Sequence, residues 1–360
     1  MALVFMYNHS GCLAQAETSA KAACILEMQT GRVLFEYNMH ARLPMASTTK
    51  VMTALLAIEH GRAQDRVVCS ENAFGISGTS IYLQMGETLT LEEMLLGLML
   101  SSGNDAAVAI AEHIGGTVEE FVAMMNARAR EIGAVNTHFA NPHGLPDENH
   151  YTTAYDLALI TREAMANDDF RALVSTQRAS ISWEGRAYHR QLTNKNKLLA
   201  DYPGATGVKT GYTSKAGRCL AFGSVRDGLE MVGTVLGCGD WFQEAARLMD
   251  GCHETYSMMR VLGPTISAGT IAVTDGERES CSMCVMQALD MPLAVGEAAQ
   301  VVLDVPESVR APVYPGMHLG TAKVVVGGKV YGAGEVVASE RVDADRIRLD
   351  VQRIFAHWIL

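Results

Sequence analysis

The chain has 360 residues, a formal net charge of −11 and 48% apolar residues. That acidic balance leaves no basic footprint for a nucleic-acid backbone. The apolar residues fall in short segments, none with the run of about 20 that spans a bilayer, and the length suits a sizeable core and two domains.

Residues 1–16 combine a short apolar start with a small-x-small site at Ala14-Gln15-Ala16 and lack a cationic head. This resembles the remnant of a secretory signal peptide, with cleavage expected after Ala16. Gly11-Cys12 could hint at lipid attachment, but polar residues precede it. The segment AACILEMQTGRVLFEYN predicts two strands about a Gln29-Thr30-Gly31 turn.

Helices are expected from Ser47 to about Ala166, broken by a polar loop from Ser70 to Gly86. Ser47-Thr48-Thr49-Lys50 opens the first helix, and Val51 to Ile58 continue it as an apolar run. Residues three apart share a helix face, so the Ser47 hydroxyl and the Lys50 amine come within reach of each other. A serine attacks only when a base takes its proton, and lysine can be that base only if burial or a second cation lowers its pKa. Ser102-Gly103-Asn104 follows in a turn between two predicted helices.

Strand patterns return at RASISWEGRAYHRQ, VKTGYT, CLAFGSVRDG and EMVGTVLGC, and a last helix is expected from Gln243 to about Leu262. Lys209-Thr210-Gly211 begins one of these strands, and Lys209 is the natural second cation for Lys50. Each motif alone has an ordinary structural explanation, as a helix cap, a polar turn or a strand start. In this order, each on its expected element, they compose a serine acyl-transfer site with lysine in place of histidine.

Longer runs carry a resemblance: SGNDAAVAIAEHIGG, FVAMMNARAREIGAVNTHFANPHGL, HYTTAYDLALI, GATGVKTGYTSKAGRCL and the closing RIFAHWIL. Over most of its length the chain resembles a serine-type D-alanyl-D-alanine carboxypeptidase, a low-molecular-mass penicillin-binding protein of peptidase family S11. The resemblance implies an α/β (α+β) penicillin-binding and β-lactamase-like domain, with an antiparallel sheet, a helical cluster and the active site at their junction. It implies Ser47 as acylated nucleophile, Lys50 as general base, and Ser102 and Asn104 as proton relay and substrate-amide contact. Lys209, Thr210, Gly211 and Tyr212 would bind substrate: Lys209 as electrostatic anchor, Thr210 at the terminal carboxylate, and the N–H groups of Ser47 and Tyr212 as oxyanion hole. The implied substrate is the peptidoglycan stem peptide, with β-lactams as inhibitors, no cofactor and an exported location at the outer face of the bacterial cytoplasmic membrane or in the extracytoplasmic space.

Two rival readings stand beside it. A class A type β-lactamase needs a further carboxylate to activate the deacylating water, and the sole Glu-x-x-x-Asn match, Glu163 with Asn167, falls later than expected. A catalytically silent wall-binding protein would not need intact motifs. One departure from the family is Gln243, which stands where members often place a carboxylate-holding arginine, with Arg247 one turn further on as a candidate substitute.

The eight cysteines, at 12, 24, 69, 219, 238, 252, 281 and 284, show no paired zinc spacing, so Cys281 and Cys284 read as a local disulfide or buried thiols. No His-Glu-x-x-His occurs among the eleven histidines. The peptidase domain is read as 17–262, up to the change of character at Gly263.

From Gly263 short strands with frequent Gly and Pro predict a small all-β sandwich over 263–342, including a hairpin with a Gly327-Gly328 turn. Residues 343–360 place Ile347, Val351, Ile354, Phe355 and Trp358 at helical spacing opposite Arg346, Asp350, Arg353 and His357. Such an amphipathic helix can lie in a membrane interface.

Overall fold

The computed structural model describes residues 2–5 and 17–345. The chain divides into two compact units: one ends at Glu254, and the other runs from Thr255 and includes the Ala2–Phe5 strand.

The first unit is built on a five-stranded antiparallel sheet. Its strands are β1 (Ala22–Glu27), β2 (Val33–Tyr37), β3 (Ala205–Thr213), β4 (Gly217–Arg226) and β5 (Leu229–Leu236), in the spatial order β2-β1-β5-β4-β3. Every residue of β1 is buried, as expected for a central strand covered on both faces. The first expected turn is present, with Gly31 supplying the left-handed φ of +67°. Register pairs Gly211 with Cys219 and Tyr212 with Arg218, which leaves the outer edge of β3 open.

The helical cluster comprises α1 (Lys50–His60), α2 (Leu91–Leu100), α3 (Asn104–Gly115), α4 (Val118–Ile132), α5 (Ala154–Met165) and α6 (Asp168–Ser175). Every α1 residue from Lys50 to Ala57 is buried, and α5 packs on β1 and β5. A capping box fixes the start of α2: Thr90 Oγ1 accepts from Glu93 N at 3.2 Å, and Glu93 Oε2 accepts from Thr90 N at 3.0 Å. The polar loop carries two short strands at its margins, Arg66–Val68 and Thr88–Thr90, which pair with each other. They bracket Cys69 to Glu87, and the loop tip is brought to the start of α3 by bonds described below.

The last helix of this unit, α7, spans Trp241–Thr255. The expected continuation to Leu262 is corrected: Tyr256–Leu262 form a strand paired antiparallel with Leu289–Ala294. The SMMRVL run has apolar residues compatible with either period, and cross-strand pairing decides it. The second unit has a seven-stranded sheet plus this two-stranded ribbon around one apolar core that includes Val261, Leu262, Met291, Leu293, Val301 and Val324. Ala2–Phe5 pair with Ala299–Asp304 at the sheet edge. The expected Gly-Gly hairpin is present, with φ of +56° and +80° at Gly327 and Gly328. Cys281 and Cys284 are both free, and three residues apart on one strand they face opposite sides, so a local disulfide between them is ruled out. The amphipathic segment 346–360 lies outside the described residues.

Candidate active site

Ser47 sits in a single 3₁₀ turn, Ala46–Thr49, that runs directly into α1. The turn is entered by Ala46 with a left-handed φ of +49°. For a residue with a Cβ this costs about 1–2 kcal/mol. Two glycines make room for it. A Cβ on Gly144 would lie 1.9 Å from the Ala46 carbonyl oxygen, and one on Gly211 would lie 2.8 Å from the Ser47 nitrogen. Strand β3 and the loop before residue 145 therefore clamp the Ala46–Ser47 peptide through bare backbone.

Lys50 is fully buried. Its Nζ lies 3.1 Å from Ser47 Oγ, 2.7 Å from Asn104 Oδ1 and 2.7 Å from the His143 carbonyl oxygen. Burial holds this amine well below the usual lysine pKa, the Lys209 and Lys195 cations push it further down, and Asp105 opposes them. Lys209 is likewise buried, donates to the Thr210 carbonyl at 2.9 Å, and is pushed down to about 7 by burial and by Lys195.

Ser102 and Asn104 come from the turn between α2 and α3. Ser102 is buried with a left-handed φ of +64°, a second strained backbone at the site. Asn104 is held on all sides: its N donates to the Thr79 carbonyl and its Nδ2 to the Ser77 carbonyl, both at 2.7 Å, which leaves Oδ1 for Lys50. Next to it, Asp105 accepts from Ser80 Oγ at 2.6 Å and from the N–H groups of Ile81 and Leu83 at 3.1 Å. The polar loop thus becomes one wall of the cleft.

The cleft itself is lined by Ser47, Thr79, Ser102, Lys195, Thr210, Gly211, Tyr212 and Trp241. With Lys50, Asn104 and Lys209 behind this lining, all eight residues singled out from the sequence converge here. Sequence reasoning missed Lys195, an exposed cation at the cleft whose pKa is lowered by desolvation of its amine. It also missed Asp105, Gly144, Trp241 and the His143 carbonyl. Signals existed for Asp105, which directly follows the Ser-x-Asn motif, and for Gly144, within a quoted run. Lys195 and Trp241 carried none.

No carboxylate is among the lining residues described. Glu163 instead receives Arg128 Nη2 at 2.6 Å, in a surface cluster with Glu59, which removes the basis for the β-lactamase alternative. Arg247 is bonded to Glu244 and to the Glu17 carbonyl. Arg247, a candidate substitute for the missing arginine, is not among the lining residues described, and Lys195 is the additional cation at the cleft.

The sequence profile of the Peptidase_S11 family, D-alanyl-D-alanine carboxypeptidase, matches residues 10–239. The chain belongs to this family. Among similar proteins, D-alanyl-D-alanine carboxypeptidase DacF of Bacillus subtilis is 32% identical over 94% of this chain and 90% of its own length. The crystal structure of D-alanyl-D-alanine carboxypeptidase DacD from Francisella tularensis matches with a TM-score of 0.70 at 25% identity, covering 93% of this chain and 96% of that one. Penicillin binding protein 5 from Haemophilus influenzae shares the fold, with a TM-score of 0.75 at 24% identity over 92% of this chain and 100% of that one. The enzyme is a serine-type, penicillin-sensitive D-alanyl-D-alanine carboxypeptidase with the penicillin-binding-protein fold.

Proposed function

We propose that the enzyme cleaves the terminal D-alanine from peptidoglycan stem peptides through an acyl-enzyme on Ser47, with Lys50 as the general base. The observation that carries this reading is the set of partners around Lys50 Nζ. A neutral amine has two hydrogens and one lone pair. Asn104 Oδ1 and the His143 carbonyl, each at 2.7 Å, can accept only hydrogens. The lone pair is left for the third neighbour, the Ser47 hydroxyl at 3.1 Å. Burial and two nearby cations favour that neutral form.

In the first step Ser47 Oγ bonds to the carbonyl carbon of the penultimate D-alanine as its proton passes to Lys50. The oxyanion faces the N–H groups of Ser47 and Tyr212. On collapse the C–N bond breaks and the departing D-alanine amine takes a proton through Lys50 and Ser102. Water then adds to the ester and Ser47 is released with its proton restored. Lys209 and Thr210, with Gly211 leaving room at the strand edge, hold the terminal carboxylate.

The test is D-alanine release from diacetyl-L-Lys-D-Ala-D-Ala with parallel penicillin labelling. Both are expected in the wild type and absent in Ser47→Ala; retention of either in the variant would overturn the assignment.

Export and membrane attachment belong to the same proposal. Cleavage after Ala16 gives a mature N-terminus at Glu17, which N-terminal sequencing of exported protein would check. It would also remove the Ala2–Phe5 strand from its sheet. Among the described residues no helix is long and apolar enough to cross a membrane, and the 343–360 segment is the proposed interfacial anchor. Salt-resistant membrane association that survives deletion of residues 346–360 would refute it.

A further inference from the structure

We propose that Thr49 and His150 form a positioning relay that aims the Ser47 backbone N–H at the developing oxyanion. The inference rests on the reading of Ser47 as nucleophile and oxyanion donor, and adds residues outside the motif chemistry.

The peptide unit is rigid and trans, so its C=O and N–H point in opposite directions and turn together. Whatever holds the Ala46 carbonyl therefore sets the direction of the Ser47 N–H. Thr49 Oγ1 donates to that carbonyl at 2.7 Å. With its hydrogen committed there, the Thr49 oxygen can only accept from its other neighbour, His150 Nε2, also at 2.7 Å.

The histidine tautomer that this requires is independently set. His150 Nδ1 accepts the Ala140 N–H at 3.0 Å, so the ring proton must be on Nε2. His150 is buried, its ring lies edge-on to Phe139 with centroids 5.9 Å apart, and burial keeps it neutral by pushing its pKa down to about 4. The bonds thus run in one direction, from the Ala140 N–H through imidazole and hydroxyl to the Ala46 carbonyl. Gly144 closes on the same carbonyl from another side, where a Cβ would stand 1.9 Å away. A left-handed Ala46 has an easier conformation to fall back to, and the relay opposes that relaxation. Neither side chain touches substrate, so both are positioning residues.

The test compares Thr49→Val, His150→Phe and His150→Gln in the full chain. Five quantities are measured: kcat and KM for diacetyl-L-Lys-D-Ala-D-Ala, the penicillin acylation rate, the affinity for a peptide boronic acid that forms a tetrahedral anion on serine, and Tm. Removing an oxyanion donor costs about 100- to 1000-fold, so a misaimed one should cost roughly 10- to 100-fold. Thr49→Val and His150→Phe should lose that factor in kcat, in acylation and in boronate affinity, with KM within about twofold. His150→Gln, whose amide can still donate to Thr49, should recover most of it. Wild-type kcat in both disruptive variants, or losses that follow KM or Tm and leave boronate affinity intact, would overturn the relay. If Thr49→Val does not fold, the His150→Phe and His150→Gln pair decides. Penicillin labelling of Ser47→Ala would refute the underlying site assignment; its absence, with wild-type behaviour in Thr49→Val and His150→Phe, would refute the relay alone.

Discussion

Gly211 lies so close to Ser47 that a Cβ on the glycine would stand 2.8 Å from the Ser47 nitrogen and 2.9 Å from that of Thr48. Those atoms are backbone, so no side chain can swing away to make room. Gly211→Ala should displace the nucleophile turn by a few tenths of an ångström and lower the penicillin acylation rate by roughly 100-fold. Because Gly211 does not have a positive φ, alanine is tolerated conformationally and the protein should still fold. Stopped-flow acylation together with a thermal melt checks both halves of this expectation.

The lysine cluster dictates a pH profile. Catalysis needs Lys50 neutral, and carboxylate binding needs Lys209 charged. The free enzyme should therefore show a bell-shaped kcat/KM, with its acid limb set by the depressed Lys50 and its basic limb near the Lys209 value of about 7. Lys209→Met removes a cation that lowers Lys50, so the Lys50 pKa rises. The acid limb moves to higher pH and the limb near 7 disappears. Lys195→Met should move both limbs upward, since Lys195 lowers both amines. A profile measured with the peptide substrate in each variant checks these signs.

Glu87 and Arg190 form a buried bidentate ion pair at 2.6 and 2.7 Å, and the Arg190 guanidinium lies 4.6 Å from the Trp183 ring centroid. Removing one partner leaves a buried charge alone, at a cost of about 3–5 kcal/mol. At about 2–4 °C per kcal/mol, Arg190→Met should lower Tm by roughly 6–20 °C. Adding Glu87→Leu should recover much of the loss. The net effect of these contacts is to hold the Glu87 carboxyl below its usual range despite burial. Its stabilisation is thus present above the unfolded value near 4.3 and lost as pH falls through the lower folded one. Thermal melts of the single and double variants provide the measurement.

Penicillin should remain on Ser47 for a long time, because no carboxylate is among the lining residues described to activate water. Glu163→Gln should leave the deacylation rate unchanged within about twofold, since Glu163 is engaged with Arg128. Mass spectrometry of the acyl-enzyme over time would show this directly.

Much of the site was legible because its motifs are local. Ser47 and Lys50 are three residues apart on one turn, and Lys209 to Tyr212 are consecutive on one strand, so spacing alone brings them together. The residues that tune those groups arrive by tertiary routes. Lys195 precedes a short helix, the His143 carbonyl comes from a loop, and neither has a periodicity or composition that marks it. In the fold, the continuous apolar run of β1 and the Gly-Gly turn could be read directly. The end of α7 could not, because Tyr256–Leu262 are a strand only by virtue of Leu289–Ala294 beside them.

Asn104 and Asp105, adjacent at the start of α3, divide the labour of holding segment 77–83. Asn104 binds the Ser77 and Thr79 carbonyls, while Asp105 binds the Ser80 hydroxyl and the Ile81 and Leu83 N–H groups. Because Asn104 also orients Lys50, that segment cannot lift away without loosening the base. A compound that pries the loop open would silence the enzyme without ever touching Ser47.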